Sequence, residues 1–250
     1  METKVAKTQE ERPSIPKIIH YCWFGKAPLP EQAIKCIQSW QKHCPDYEII
    51  QWSEENFDIN SNQYVKGAYE AKKWAFVSDY VRLYALVEHG GVYMDTDCEI
   101  IKPIDCFLKL EAFSGFQQKN EVPTAIMGCS KNQPFFKELL NSYNDRTFLL
   151  DNGEYDFTTN VSTITNACAQ YGLKFNNKKQ TISGFTLYPT EYFCPLNWQT
   201  GKLKKTNNTY AIHWFAGSWV DEHRKVNMLS KIKYLTKKLL PFKMIQKLRK

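Results

Sequence analysis

The 250-residue sequence has no run of about 18 apolar residues, so no membrane-spanning helix is expected. Its first fourteen residues, METKVAKTQEERPS, are polar and mixed in charge, and they lack the apolar core of a signal peptide. They read as a disordered lead-in. The eight cysteines, at positions 22, 36, 44, 98, 106, 129, 168 and 194, form no C-x-x-C pair and no zinc spacing. Without a secretion signal, reduced thiols in a cytoplasm are expected. The net charge of +7 is also absent from most of the chain. Residues 228–250 hold eight Lys/Arg and no acid, which leaves 25 basic against 26 acidic residues elsewhere. No nucleic-acid-binding face is therefore indicated. There is no internal repeat and no low-complexity region.

The residues present can fill a core. The hydrophobic fraction is 43%, and 14% are aromatic with seven Trp, so some aromatic surface is available for ligands. Ile15 to Trp23 reads as a strand buried on both faces. Glu31 to His43 reads as a helix with Ile34, Ile37 and Trp40 at spacing three, and Tyr47 to Trp52 as the next strand. Strand, helix, strand at this spacing is a βαβ unit. A helix around 68–89 and a strand over 92–95 continue the alternation, which predicts a doubly wound α/β domain over 15–225. Further on, Cys98 to Ile104 is expected to be extended. Strands are predicted over 112–117, 124–129, 181–188 and 209–214, and helices over 134–143 and 158–171. The segment 189–208 is expected to be irregular.

The stretch from Ser78 to Asp97, SDYVRLYALVEHGGVYMDTD, organises the rest. Phe76, Tyr80, Leu83, Tyr84 and Val87 make one apolar helical stripe. Asp79 and Arg82 lie three apart on another side, in line with Ala75 and Leu86. Gly90 and Gly91 stop the helix. The following strand delivers Asp95 and Asp97, which at i and i+2 would face one spot. Two convergent carboxylates suit Mg²⁺ or Mn²⁺, whose shell substrate phosphates complete. A solvated loop pair and a surface i,i+3 ion pair are the plain alternatives. A second cluster, HWFAGSW over 213–219, is either an aromatic core edge or the closing wall of a site. In the second case His213 could ligate a metal and the Trp219 indole could donate to phosphate.

Four blocks, IPKIIHYCWFG (15–25), WAFVSDYVRLYAL (74–86), GGVYMDTD (90–97) and HWFAGSW (213–219), resemble the family 32 glycosyltransferases. That family includes bacterial capsular and lipopolysaccharide enzymes and yeast mannosyltransferases. The glucosylating domains of the large clostridial toxins are more distantly similar. The resemblance implies a GT-A-type, Rossmann-like fold with a mostly parallel sheet flanked by helices. It also implies a nucleotide-sugar donor (a UDP-sugar is expected), Mn²⁺ or Mg²⁺, and retention at the anomeric carbon. By the same resemblance Trp23 would stack on the base, and Ser78, Asp79 and Arg82 would hold ribose, sugar and diphosphate. Asp95 would contact ribose and sugar and share the metal, Asp97 would ligate it directly, and His213 would complete it. Cys22, Tyr93, Ser218 and Trp219 join the donor-binding set, and Asp79, Arg82, Asp95 and Asp97 form the catalytic group. The acceptor would be a glycan or lipid-linked saccharide of a surface polysaccharide. Thr158-Thr159-Asn160 stands where many relatives have a Gly-Pro pair after Thr, so acceptor contacts do not carry over. A phosphohydrolase with an aspartyl nucleophile and a catalytically dead sugar-binding domain are the rival readings.

The tail 226–250 lies outside that resemblance. Met228, Ile232, Leu235, Leu239 and Phe242 form an apolar stripe beside the eight basic residues. This is either a helix lying on an anionic membrane surface or an ordinary docked helix with solvated lysines. The first alternative would place a cytoplasmic enzyme on the inner face of the plasma membrane.

Overall fold

The computed structural model describes residues 14–117 and 121–217. The lead-in up to residue 13, Ser218, Trp219 and the basic tail lie outside the described residues. Among the described residues no helix is long and apolar enough to cross a membrane.

The chain begins with the expected βαβ unit: β1 (Ile18–Cys22), α1 (Glu31–His43) and β2 (Glu48–Trp52). It continues through α2 (Gln63–Glu70), α3 (Trp74–His89), β3 (Gly91–Met94) and β4 (Cys98–Ile100). Then come β5 (Ala112–Gly115), β6 (Ile126–Cys129), α4 (Pro134–Asn141), α5 (Asn160–Gln170), β7 (Gln180–Ile182) and β8 (Phe185–Tyr188). A short α6 (Thr190–Phe193), a small hairpin of β9 (Leu196–Asn197) and β10 (Lys202–Leu203), and β11 (Ala211–His213) complete it. Seven strands form one sheet in the order β2-β1-β3-β6-β5-β8-β7. Strands β1, β2, β3, β5 and β8 share a direction, while β6 and β7 oppose it. The α/β class, with a mostly parallel sheet flanked by helices, is as expected. One hydrophobic core lies under α2–α5. The other lies under α1 and the β4–β11 pair on the opposite face.

Several elements differ from the expectation. The helix around 68–89 is two helices, because Lys72 turns left-handed (φ 55°) and the amide of Lys73 closes back onto the Ala68 carbonyl at 2.8 Å. No glycine or proline marks that stop, so it is not visible in the pattern. The strand over 181–188 is a hairpin turned at Ser183 and Gly184, both with positive φ, which suits a two-residue turn. On α1 the buried residues are Ala33, Cys36 and Trp40, while Ile34 is 43% exposed. Ile37 is partly buried against the same core as Trp40, so spacing alone misplaced Ile34 and missed Ala33 and Cys36. The segment 189–208 is not wholly irregular, since it holds α6 and the small hairpin. Helix α3 has no single apolar stripe, being buried at Val77, Val81, Leu83, Ala85, Leu86 and Val87, with Asp79 and Arg82 among them.

The Gly-Gly stop does more than end α3. Gly90 and Gly91 have φ of 68° and 101°. A Cβ on Gly91 would meet the Ile18 carbonyl oxygen at 2.7 Å and His20 Nε2 at 3.1 Å. The glycines thus let β3 leave the helix flush against β1. Gly91→Ala is expected to lower stability by about 1–3 kcal/mol. An unchanged urea midpoint would show that β1 can yield.

His20 locks the same corner. Its Nε2–H donates to the Gly90 carbonyl (2.8 Å), while its Nδ1 accepts from the Trp52 indole (3.2 Å). Burial holds the imidazole neutral, with its pKa lowered to about 4. The unfolded chain takes up this proton near pH 6.5, so His20 favours folding above that pH. This contribution, ~3 kcal/mol, fades as the pH falls from 6.5 through 4. The check is the His20 ring signal in a proton NMR titration: a midpoint near 6.5 would remove the effect.

Candidate active site

The site is built where β3, β4 and β11 end beside α3. Asp95 and Asp97 do converge, but not through strand alternation, because β3 stops at Met94. They lie in a tight turn closed by the Cys98 amide on the Asp95 carbonyl (2.9 Å). Strand β11 pairs antiparallel with β4 and sets His213 opposite Cys98, next to Asp97. The Trp214 amide donates to the Asp97 carbonyl (3.0 Å) and its indole to Glu99 (2.9 Å), which fixes that register. The result is a compact group in which ligand atoms of Asp95, Asp97 and His213 all lie within 4.8 Å of one another.

The electrostatics of this group fit a cation. Asp97 Oδ1 faces His213 Nε2 at 3.4 Å, and its Oδ2 accepts from the Ala216 amide at 2.8 Å. Burial works against both charges. Even so, each partner holds the other ionised, so Asp97 lies below the usual carboxylate range and His213 is raised to about 10. A divalent ion would take the place of that imidazole proton. Among the described residues, His213 Nδ1 is buried without a hydrogen-bond partner. Two carboxylates and one imidazole are a donor set that Mn²⁺ accepts and Mg²⁺ tolerates.

Arg82 lies beneath this group and is 5% exposed. Its Nε donates to the Ser78 carbonyl (3.1 Å) and its Nη1 to the Thr124 carbonyl (3.1 Å). Its Nη2 pairs with Asp79 (3.2 Å) and Asp95 (3.4 Å). The alternative of a solvated surface pair is overturned: Asp79 and Arg82 are a buried pair, and the guanidinium bridges two carboxylates. Burial raises the Asp79 pKa to about 6, against the pull of Arg82 and of a hydrogen bond from Asn160. The Arg82 guanidinium stacks over the Tyr93 ring (4.6 Å to the centroid), and the Tyr93 hydroxyl donates to Asp95 (3.0 Å).

The sequence-derived residues are therefore mostly together. Ser78, Asp79, Arg82, Tyr93, Asp95, Asp97 and His213 form one connected group. Cys22 sits buried at the end of β1, its thiol pushed up to about 12 by burial and therefore neutral. Ser78 spends its hydroxyl on the Trp74 carbonyl (3.0 Å), within its own helix. Trp23 is half-buried, with its indole N–H on the Ala27 carbonyl (2.6 Å). The sequence reading missed Tyr143, the Thr124 carbonyl and Asn160. The available signal was Thr159-Asn160, a good N-cap followed by a polar first helical residue.

Residues 30–114 match the family model described as a glycosyltransferase sugar-binding region containing a DXD motif. Inositol phosphoceramide mannosyltransferase 3 of Schizosaccharomyces pombe is 26% identical over 137 residues, covering 52% of this chain and 37% of that protein. Mannosyl phosphorylinositol ceramide synthase CSH1 of Saccharomyces cerevisiae is 31% identical over 136 residues, covering 51% and 35%. The chain thus spans little more than a third of the length of either yeast relative. Uncharacterized glycosyltransferase L373 of Acanthamoeba polyphaga mimivirus is 24% identical over 235 residues, covering 88% of this chain and 90% of that one. The Asp95-Thr96-Asp97 motif lies inside the matched region, so residues 30–114 are similar to the glycosyltransferase sugar-binding region that this family model describes.

Proposed function

We propose that the chain is a metal-dependent, retaining glycosyltransferase that moves a sugar from a nucleotide donor to a glycan or lipid-linked saccharide in surface polysaccharide synthesis. One observation carries this reading: the Asp95, Asp97 and His213 ligand atoms within 4.8 Å, placed beside a buried Arg82 that is anchored on Asp79 and Asp95. Asp95, Asp97 and His213 would hold Mn²⁺ or Mg²⁺, and the ion would supply Lewis-acid neutralisation of the leaving diphosphate.

The chain's own residues do the rest. Breaking the anomeric C–O bond leaves negative charge on the diphosphate, and Arg82 adds a fixed positive charge from below, oriented before the reaction. Tyr93 and Arg82 hold Asp95 in one rotamer. The exposed part of the half-buried Trp23 would offer a platform for the base. Asp79 and Asp95 are both engaged by Arg82, which makes either a poor covalent nucleophile. Front-face attack by the acceptor hydroxyl therefore fits these residues best. The relative named as a mannosyltransferase adds mannose to the hexoses to be tried as donor.

The test is a screen of UDP- and GDP-linked hexoses for slow hydrolysis with Mn²⁺ or Mg²⁺. Hydrolysis of one donor that stops in EDTA is expected. Phosphate release from simple phosphoesters without nucleotide-sugar turnover would favour the phosphohydrolase. No turnover of any donor, with sugar bound, would favour a dead binding domain.

A further inference from the structure

Asn160 is a buried polar residue whose hydrogen bonds converge on one site residue. It is fully buried at the first helical position of α5, after the N-cap Thr159. Its backbone N–H donates to Asp79 Oδ2 at 3.1 Å. Its side-chain Nδ2 donates to the Asp79 carbonyl, 81 residues away in the chain. That carbonyl can only accept, so the amide orientation is settled: Nδ2 faces Asp79 and Oδ1 faces the Tyr143 hydroxyl, which donates at 2.6 Å.

Tyr143 is itself held. It is fully buried, and the Arg146 guanidinium lies 4.4 Å from its ring centroid and 4.7 Å from that of Tyr64. Arg146 is fixed in turn by two bonds to Asp156, at 2.7 and 3.2 Å. A continuous path therefore runs from Asp156 and Arg146 through Tyr143 and Asn160 to Asp79. Asp79 Oδ1 then meets Arg82, which reaches Asp95.

We infer that Asn160 is a positioning residue of the donor site, holding the Asp79 carboxylate from α5 so that its other oxygen orients Arg82 toward Asp95. The inference rests on the reading of the site as a sugar-nucleotide site. Packing alone does not explain the arrangement, since an apolar side chain would fill the same space. Two donors to one residue, one to the backbone and one to the carboxylate, fix both where Asp79 sits and how it is turned. Asn160 touches none of Asp95, Asp97 and His213, so its effect reaches the reaction only through Asp79.

Two variants separate the two bonds. Asn160→Ala removes the side-chain donor. Asn160→Pro removes both donors while suiting the helix, because proline is favoured at the first helical position and Thr159 is already extended (φ −78°, ψ 155°). The kcat/KM for metal-dependent hydrolysis of the donor that wild type accepts is expected to fall roughly tenfold in Asn160→Ala and about tenfold further in Asn160→Pro. The Mn²⁺ dissociation constant should not change. In an Asp79→Asn background neither variant should lower kcat/KM further, which an independent structural role would not reproduce. Full additivity, wild-type kcat/KM in Asn160→Pro, or parallel loss of Mn²⁺ affinity overturns the inference. If wild type turns over no nucleotide sugar, the functional reading fails on its own. The Asn160 contact is then decided by the Asp79 carboxyl signal in a ¹³C NMR titration, assigned by its loss in Asp79→Asn. Its midpoint should rise in Asn160→Pro, and an unmoved midpoint overturns the inference there.

Discussion

Asp97→Asn is expected to abolish metal-dependent donor turnover while leaving the fold intact. Asparagine keeps the shape, and its carbonyl oxygen can still accept from the Ala216 amide. The backbone bond from Trp214 to the Asp97 carbonyl is untouched. What disappears is the negative charge that faces His213 and would hold the cation. Loss of a residue merely supporting a metal ligand costs about 10–100-fold in affinity or activity, so loss of a ligand should cost at least about a hundredfold. Calorimetry with Mn²⁺ and the donor-hydrolysis rate are the two measurements. Mn²⁺ affinity and turnover equal to wild type in Asp97→Asn would remove the metal from the proposal.

Arg82→Ala should lose both stability and activity, and the first loss separates a buried organiser from a surface clamp. The guanidinium is shared by Asp79, Asp95 and two backbone carbonyls in a nearly closed environment. Its removal leaves two carboxylates partly buried without a counter-charge, which costs about 3–5 kcal/mol for a pair of this kind. Turnover should fall by roughly 10²–10³, the scale seen when one fixed electrostatic donor is lost. Arg82→Lys keeps the charge, but one ammonium cannot span four acceptors in the directions a fork does. It should fold better than Arg82→Ala and still turn over donor poorly. Wild-type urea stability in Arg82→Ala would show that the bridge contributes nothing to the fold, and wild-type turnover would remove Arg82 from the mechanism.

By itself the sequence determined the βαβ start, the Gly-Gly stop and the short strand into the two aspartates. These are local patterns: apolar periodicity, a residue type that tolerates positive φ, and residues that fit a pleated strand. It also brought His213 forward as a metal ligand, because an imidazole amid Trp and Ser in a mostly apolar stretch is chemically conspicuous. Three things were decided by tertiary structure. The first is why Asp95 and Asp97 converge. A turn, rather than strand alternation, brings them together, and β11 supplies the third candidate ligand, His213, from 116 residues beyond Asp97. The second is that Asp79 and Arg82 are buried. An i,i+3 pair reads the same on a solvated helix face, and only the packing of α3 against α2, α4 and the sheet removes the water. The third is Asn160. Its bonds to Asp79 cross 81 residues. Hydrogen-bond partners so far apart leave no period or spacing in a sequence, so only the folded chain shows which polar residue each buried group meets.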